Sequence, residues 1–176
     1  IVPAAVVFDL GRGGVFQNHP DAAFGAAAHD AAFGDGGPDG AGRVRQGSVG
    51  AGTGCVAGGL RGGVGSASVV LGDGTTVAAL AVVNALGSVV DPATGVPHAV
   101  RFGLDGEFDA YRGTHSAPVE TPSPHWATTL VVVATDLTLT QAQCAKLAGI
   151  GHDGLARAIN PVHTMLDGDT LFALAT

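Results

Sequence analysis

His125-Trp126-Ala127-Thr128-Thr129-Leu130-Val131-Val132-Val133-Ala134-Thr135-Asp136 is the stretch on which the reading of this chain turns. Leu130 to Ala134 is an unbroken apolar run of strand length, and it reads as a strand buried on both faces. Two hydroxyl residues, Thr128 and Thr129, stand directly before it. Before those comes a long polar segment, Gly106 to His125, carrying Pro118, Pro122 and Pro124. A loop of that length usually signals function or disorder.

Working downstream, Thr140-Gln141-Ala142-Gln143 has the spacing of a capping box and starts a helix. That helix presents Cys144, Leu147, Ala148, Gly151 and Leu155 on one side, runs to about Ile159, and is ended by Pro161. Gly149, Gly151 and Gly154 each lower its intrinsic helicity by roughly 1 kcal/mol, which close packing on a sheet would offset. Leu171 to Leu174 reads as a last strand.

Working upstream, Ser68 to Leu71 and Thr76 to Ala85 read as two strands joined by the turn Gly72-Asp73-Gly74. His98 to Phe102 reads as a further strand. The glycine-rich run Gly47 to Gly65 implies a tight backbone path against another layer or a site. Gly34 to Gly42 is a loop, Ala22 to Ala32 a helix opened by Pro20 with Asp21 in its first turn, Gly11 to Gly14 a turn, and Val2 to Phe8 a buried strand ending at Asp9. Hairpins mixed with helices in this order give an α+β class or a layered α/β sandwich, in a single domain over 1–176.

Composition excludes several functions. Of 176 residues, 46% are apolar and only 13% charged, too apolar for a disordered chain. The net charge is −7, and eight Lys and Arg are spread without a basic stripe, so nucleic acid is not an expected partner. Cys55 and Cys144 make no disulfide framework and fit a reducing, cytoplasmic compartment. No apolar run is long enough to span a bilayer, so no membrane partner is expected. The seven histidines show no zinc spacing, and Gly50-Ala51-Gly52-Thr53-Gly54 lacks the Gly-Lys-Ser/Thr ending of a phosphate loop, so neither metal nor cofactor is expected. The chain starts at Ile1 and its only methionine is Met165, which reads as truncation of a longer product. His152-Asp153 is no dyad, because neighbours on a helix point about 100° apart.

A threonine hydroxyl is a poor nucleophile at neutral pH and needs a base within reach. A free α-amine, with a pKa of about 8, sits on the same residue once the preceding peptide bond is cut. Thr pairs at strand starts are also ordinary β-formers, so the local pattern alone leaves both readings open.

Several segments resemble the L-aminopeptidase/D-esterase (DmpA-like) family. These are Gly47-Ser48-Val49-Gly50-Ala51-Gly52-Thr53-Gly54, Gly58-Gly59-Leu60-Arg61-Gly62-Gly63-Val64-Gly65, Val82-Val83-Asn84-Ala85-Leu86-Gly87, and Thr128 to Asp136. His152 to Ile159, Pro161-Val162-His163-Thr164 and Asp167 to Ala173 complete the likeness, in order along nearly the whole chain. The resemblance implies a four-layer α/β/β/α sandwich and a self-cleaving precursor. By analogy the cut lies between Ala127 and Thr128, leaving 1–127 as the end of an α-chain and 128–176 as a β-chain. Thr128 becomes the nucleophile, with Thr129 as the fallback. Asn84 resembles the family's oxyanion-hole asparagine. The region of His163, Thr164, Asp167 and Asp169 matches where relatives orient the nucleophile's amine.

Two departures stand out. Ala127 replaces the Asn or Gly common before the cut, and Phe8 lacks the hydroxyl of a tyrosine that assists catalysis in some relatives. The implied activity is release of N-terminal residues from short peptides, amides or esters, in a homo-oligomer of α/β heterodimers. Acyl transfer of the ornithine acetyltransferase type, or a non-catalytic uncut relative, are the alternatives.

Overall fold

The apolar run after Thr129 forms the centre of the molecule. The computed structural model describes residues 3–12, 14–33, 44–104, 106–109, 111 and 126–176. Its elements are α1 (Ala22–Phe33), β1 (Val56–Ala57), β2 (Leu60–Arg61), β3 (Gly63–Val70), β4 (Thr76–Val83), β5 (Leu130–Thr135), α2 (Gln141–Ala158) and β6 (Thr170–Ala175), with single 3-10 turns at Gly50–Gly52 and Val100–Phe102. The last four strands form one sheet in the order β3-β4-β5-β6. β3 and β4 are an antiparallel hairpin, β4 pairs antiparallel with β5, and β5 pairs parallel with β6. Parallel neighbours need a crossover, and α2 supplies it. The class is α+β, as the sequence implies.

α2 begins where the capping box places it. The Thr140 side chain accepts from Gln143 N, and the Gln143 side chain accepts from Thr140 N at 2.8 Å. Its glycines are tolerated for different reasons. A Cβ on Gly151 would lie 2.5 Å from Leu171 Cδ2, so the missing side chain lets helix and sheet approach, whereas Gly149 faces open space. The core between them consists of Ala57, Ala85, Val131, Leu155, Ile159 and Leu171, with Ala81, Val83, Val133 and Val162 packed around it. Burying a leucine such as Leu155 or Leu171 contributes roughly 1.5–3 kcal/mol.

The expectation that β5 is buried on both faces holds for one face. Val131 and Val133 face α2, while Leu80, Val132 and Leu174 on the other face stay 38%, 37% and 54% exposed among the described residues. A concavity of about 940 Å³ lies over that open face, lined by Ser66, Leu80, Val132, Phe102 and Leu104 among others.

Three further readings change. The residues described within Val2–Phe8 lie outside any strand, because strand structure needs an edge to pair with; Val6 is 83% exposed. His98–Phe102 is not a strand but ends in a 3-10 turn at Val100–Phe102: Val100 N, Phe102 N and Gly103 N each bond the carbonyl three residues back. Asp21 lies ahead of α1 rather than in its first turn, and its Oδ1 accepts from Ala23 N and Phe24 N. The glycine-rich path contains the small hairpin β1–β2, whose two-residue loop, Gly58-Gly59, has φ of 55° and 82°. Such a turn demands positive φ at both positions, hence two glycines. The Gly72–Gly74 turn is as expected: Asp73 Oδ1 accepts from Thr75 N at 2.9 Å, a bond that holds its carboxyl below the ordinary value. The loops at 34–42 and most of 106–125 lie outside the described residues. Among the described residues no helix is long and apolar enough to cross a membrane.

Candidate active site

β5 enters the sheet through Ala127, Thr128 and Thr129, and alternate residues of an extended chain direct their backbone groups to opposite neighbours. Ala127 bridges Asp167 on the β6 side: Ala127 N donates to Leu166 O at 3.0 Å and Ala127 O accepts from Gly168 N at 2.8 Å. Thr128 turns the other way, and its N donates to Asn84 O at the end of β4, at 2.6 Å. Thr129 faces β6 again, with Thr170 N donating to its O at 3.0 Å. The Ala127–Thr128 peptide is therefore suspended between two walls, its C=O held from one side and its N–H from the other.

The Thr128 hydroxyl sits against the bond that precedes it. Oγ1 donates to Ala127 O at 2.6 Å. Thr128 is half-buried, Ala127 buried and Trp126 exposed. Thr129, by contrast, is fully buried, and its Oγ1 has no hydrogen-bond partner. The two adjacent hydroxyls thus differ: one touches a carbonyl, the other is enclosed in the core.

Asn84 is also fully buried. Its Oδ1 accepts from Arg12 Nη1 and from Val56 N, and its Nδ2 donates to Phe8 O at 3.1 Å. The side-chain amide carries a second hydrogen beyond the one Phe8 takes. Arg12 reaches further, donating from Nη2 to Trp126 O at 3.0 Å, so its guanidinium links Asn84 to the residue just upstream of Ala127. Nothing in the sequence around Arg12 signalled this. Asp9 and Arg12 both act on buried Cys55, whose thiol is pushed up to about 11, chiefly by burial and next by Asp9, with Arg12 opposing.

The turn before β6 is built by two carboxylates. Asp167 Oδ1 accepts from Leu86 N at 3.0 Å, and its Oδ2 accepts from Thr164 N at 3.1 Å and from Thr164 Oγ1. Asp167 therefore ties the segment after Asn84 to the turn, and Thr164 serves Asp167, not Thr128. Asp169 Oδ1 accepts from Thr129 N at 2.7 Å, and its Oδ2 pairs with His163 Nδ1 at 2.7 Å. His163, in the left-handed region at φ 51°, has its Nε2 3.2 Å from His152 Nδ1. A relay His152–His163–Asp169–Thr129 N thus ends one residue from Thr128. His152 makes no dyad with Asp153, and only a fold that brings α2 beside the turn gives it His163 as a partner. Among the described residues no group of three or more His, Cys, Asp or Glu could hold a metal ion.

Of the residues singled out from sequence, the structure brings together Ala127, Thr128, Asn84 and the Asp167 turn. His163 and Thr164 stand one contact further out. The sequence carries no signal for the main-chain N–H of Gly168, since every residue but proline has such a group.

Comparison with known proteins identifies the family. The model of peptidase family S58 matches residues 1–176. An uncharacterised aminopeptidase of Mycobacterium leprae (strain TN) is 49% identical over 185 residues, which cover 100% of this chain and 49% of that protein. A 6-aminohexanoate-oligomer endohydrolase of Kocuria sp. (strain KY2) is 30% identical over 193 residues, covering 100% of this chain and 50% of that protein. The chain spans about half the length of the curated relatives it matches. Among solved structures, a β-aminopeptidase of Burkholderia sp. superposes with a TM-score of 0.50 at 32% identity, covering 75% of this chain and 33% of that one. A protein of Pyrococcus horikoshii OT3 gives 0.51 at 26% identity, covering 77% and 33%. With its full length matched and its motifs in order, this chain belongs to peptidase family S58, the L-aminopeptidase/D-esterase family that those motifs resemble.

Proposed function

We propose that the protein containing this chain is an autoprocessing N-terminal-nucleophile hydrolase. It cuts itself between Ala127 and Thr128 and then releases N-terminal residues from short peptides, amides or esters through an acyl-enzyme on Thr128. The observation that carries this reading is the Thr128 hydroxyl, 2.6 Å from the carbonyl oxygen of the preceding residue.

In the finished enzyme the nitrogen of Thr128 is a primary amine. Asn84 O, its acceptor at 2.6 Å, takes one of its hydrogens and so directs the lone pair elsewhere. That amine is the base for Oγ1 during acylation and for water during deacylation. The free hydrogen on Asn84 Nδ2 is the group proposed to meet the charge developing on the substrate carbonyl; such a donor contributes roughly 3 kcal/mol. Asp167 and Asp169 hold the turn and the first N–H of β5, with His163 and Thr164 supporting them. Residues 1–127 form the end of the α-chain and 128–176 belong to the β-chain of one domain, and homo-oligomerisation in a reducing cytoplasm completes the reading.

The test is intact mass and N-terminal sequencing of the full-length protein, followed by a screen of aminoacyl p-nitroanilides. A fragment beginning Thr-Thr-Leu-Val is expected, and Thr128→Ala should stay whole and inactive. A single uncut species with full activity, or activity untouched in Thr128→Ala, defeats the proposal.

A further inference from the structure

We infer that Gly168 is the oxyanion donor of the self-cleavage step, through its main-chain N–H, and that its lack of a side chain leaves the room the Thr128 hydroxyl needs; this rests on the reading of Ala127–Thr128 as the processed bond. Among the described residues, two groups bond the Ala127 oxygen: Gly168 N at 2.8 Å and Thr128 Oγ1 at 2.6 Å. Their roles diverge as reaction starts. The hydroxyl gives up its proton when it attacks, so its own bond to that oxygen is lost. The Gly168 N–H remains, aimed at the atom on which negative charge accumulates.

The step balances as follows. The Thr128 Oγ1–Ala127 C bond forms and the carbonyl π pair moves onto oxygen, facing Gly168 N–H. On collapse the C–N bond breaks, and the departing Thr128 nitrogen takes, in net terms, the proton that left Oγ1. Water then cleaves the resulting ester, giving the Ala127 carboxylate, a free hydroxyl and a free amine.

A donor of this kind works when it is fixed before the charge appears. Gly168 is fixed from several sides. Ala127 N bonds Leu166 O, Thr170 Oγ1 donates to Gly168 O at 3.0 Å, and the Asp167 carboxylate ties the turn to Leu86 N and Thr164 N. A Cβ on Gly168 would lie 2.9 Å from Thr128 Oγ1, closer than such atoms sit, yet 3.8 Å from Ala127 O. Any side chain there displaces the attacking oxygen while leaving the carbonyl in place.

The full-length protein is made by cell-free translation and conversion of precursor is followed by mass. Gly168→Ala should slow cleavage on the order of 10²-fold, the usual cost of misplacing a reacting atom by about an ångström. Gly168→Pro, which lacks the N–H, should slow it about 10²–10³-fold. Precursor melting for Gly168→Ala should stay near that of Thr128→Ala. The crystal structure of the uncut Thr128→Ala precursor gives a second measurement that does not depend on how either variant folds, with Gly168 N expected within hydrogen-bond distance of Ala127 O. A wild type that is cut while Gly168→Ala is cut equally fast overturns this inference alone, as does an Ala127 carbonyl turned away from Gly168. A wild type that never cleaves removes the underlying reading and this inference with it.

Discussion

Replacing Asp169 by alanine in the full-length Thr128→Ala protein, where the backbone stays whole, isolates what the carboxylate does for the first residues of β5. Its side chain is only 5% exposed, and each of its oxygens has a partner at 2.7 Å: Thr129 N on one and His163 Nδ1 on the other. The Thr129 contact dominates. A hydrogen bond to a charged acceptor contributes about 1.5–3 kcal/mol, and an N–H left unpaired in a fully buried residue carries a penalty of the same origin. The His163 contact adds under about 1 kcal/mol, since that ring is 37% exposed. The loss is therefore about 3 kcal/mol. With a urea dependence of about 2 kcal/mol/M, the midpoint falls by about 1.5 M. Asp169→Asn keeps an oxygen acceptor for Thr129 N and gives up only the charge, so it should lose about 1 kcal/mol and about 0.5 M. In the cleavable background, Asp169→Ala should also process about 10²-fold more slowly, because the residue after the nucleophile is no longer pinned. Equal midpoints for the two variants, or an alanine variant within 0.3 M of its parent, would refute the reasoning.

Thr129→Val keeps the shape but removes a hydroxyl that is buried without a partner, so stability should be unchanged or rise by about 1 kcal/mol with processing retained; urea midpoints and mass measure both, and loss of cleavage would hand the nucleophile's role to Thr129. Gly87→Ala would drive a Cβ into the Pro161 carbonyl and should cost about 2 kcal/mol or more, whereas Gly149→Ala, with nothing within 4 Å, should stabilise α2 by about 0.5–1 kcal/mol. At pH 8 iodoacetamide should label half-buried Cys144 and spare Cys55. The folded Cys55 thiol keeps its proton between 9.0 and about 11, where the unfolded thiol has lost it, so this contribution is complete below pH 9 and disappears as pH rises through 11. Urea midpoints of wild type and Cys55→Ala across that range should converge; parallel curves would contradict the burial.

Local chemistry decided what the sequence by itself determined. The capping box at Thr140, the Gly72–Gly74 turn and the run Leu130–Ala134 each depend on neighbours a few residues apart; the first two form as the sequence implies, and the strand runs one residue further, to Thr135. The two hydroxyls at the head of that run left two readings open locally, and the candidate site around Asn84, Thr128 and Asp167 was marked by the resemblance to the family's motifs. Contacts across long stretches of chain escaped the sequence. Val2–Phe8 has a strand's composition but gains no pairing edge among the described residues, and His98–Phe102 closes into local turns instead. Thr128 and Thr129, identical residues side by side, are set apart by opposite pleat directions: one hydroxyl meets the Ala127 carbonyl, the other is sealed in the core. Arg12 reaches Asn84 across 72 residues and Trp126 across 114, and Asp169 reaches Thr129 across 40. Gly168 meets the Ala127 carbonyl through a backbone N–H that almost any residue would carry. Such groups gain their identity only from what the folded chain sets opposite them, which is why tertiary structure alone could point to them.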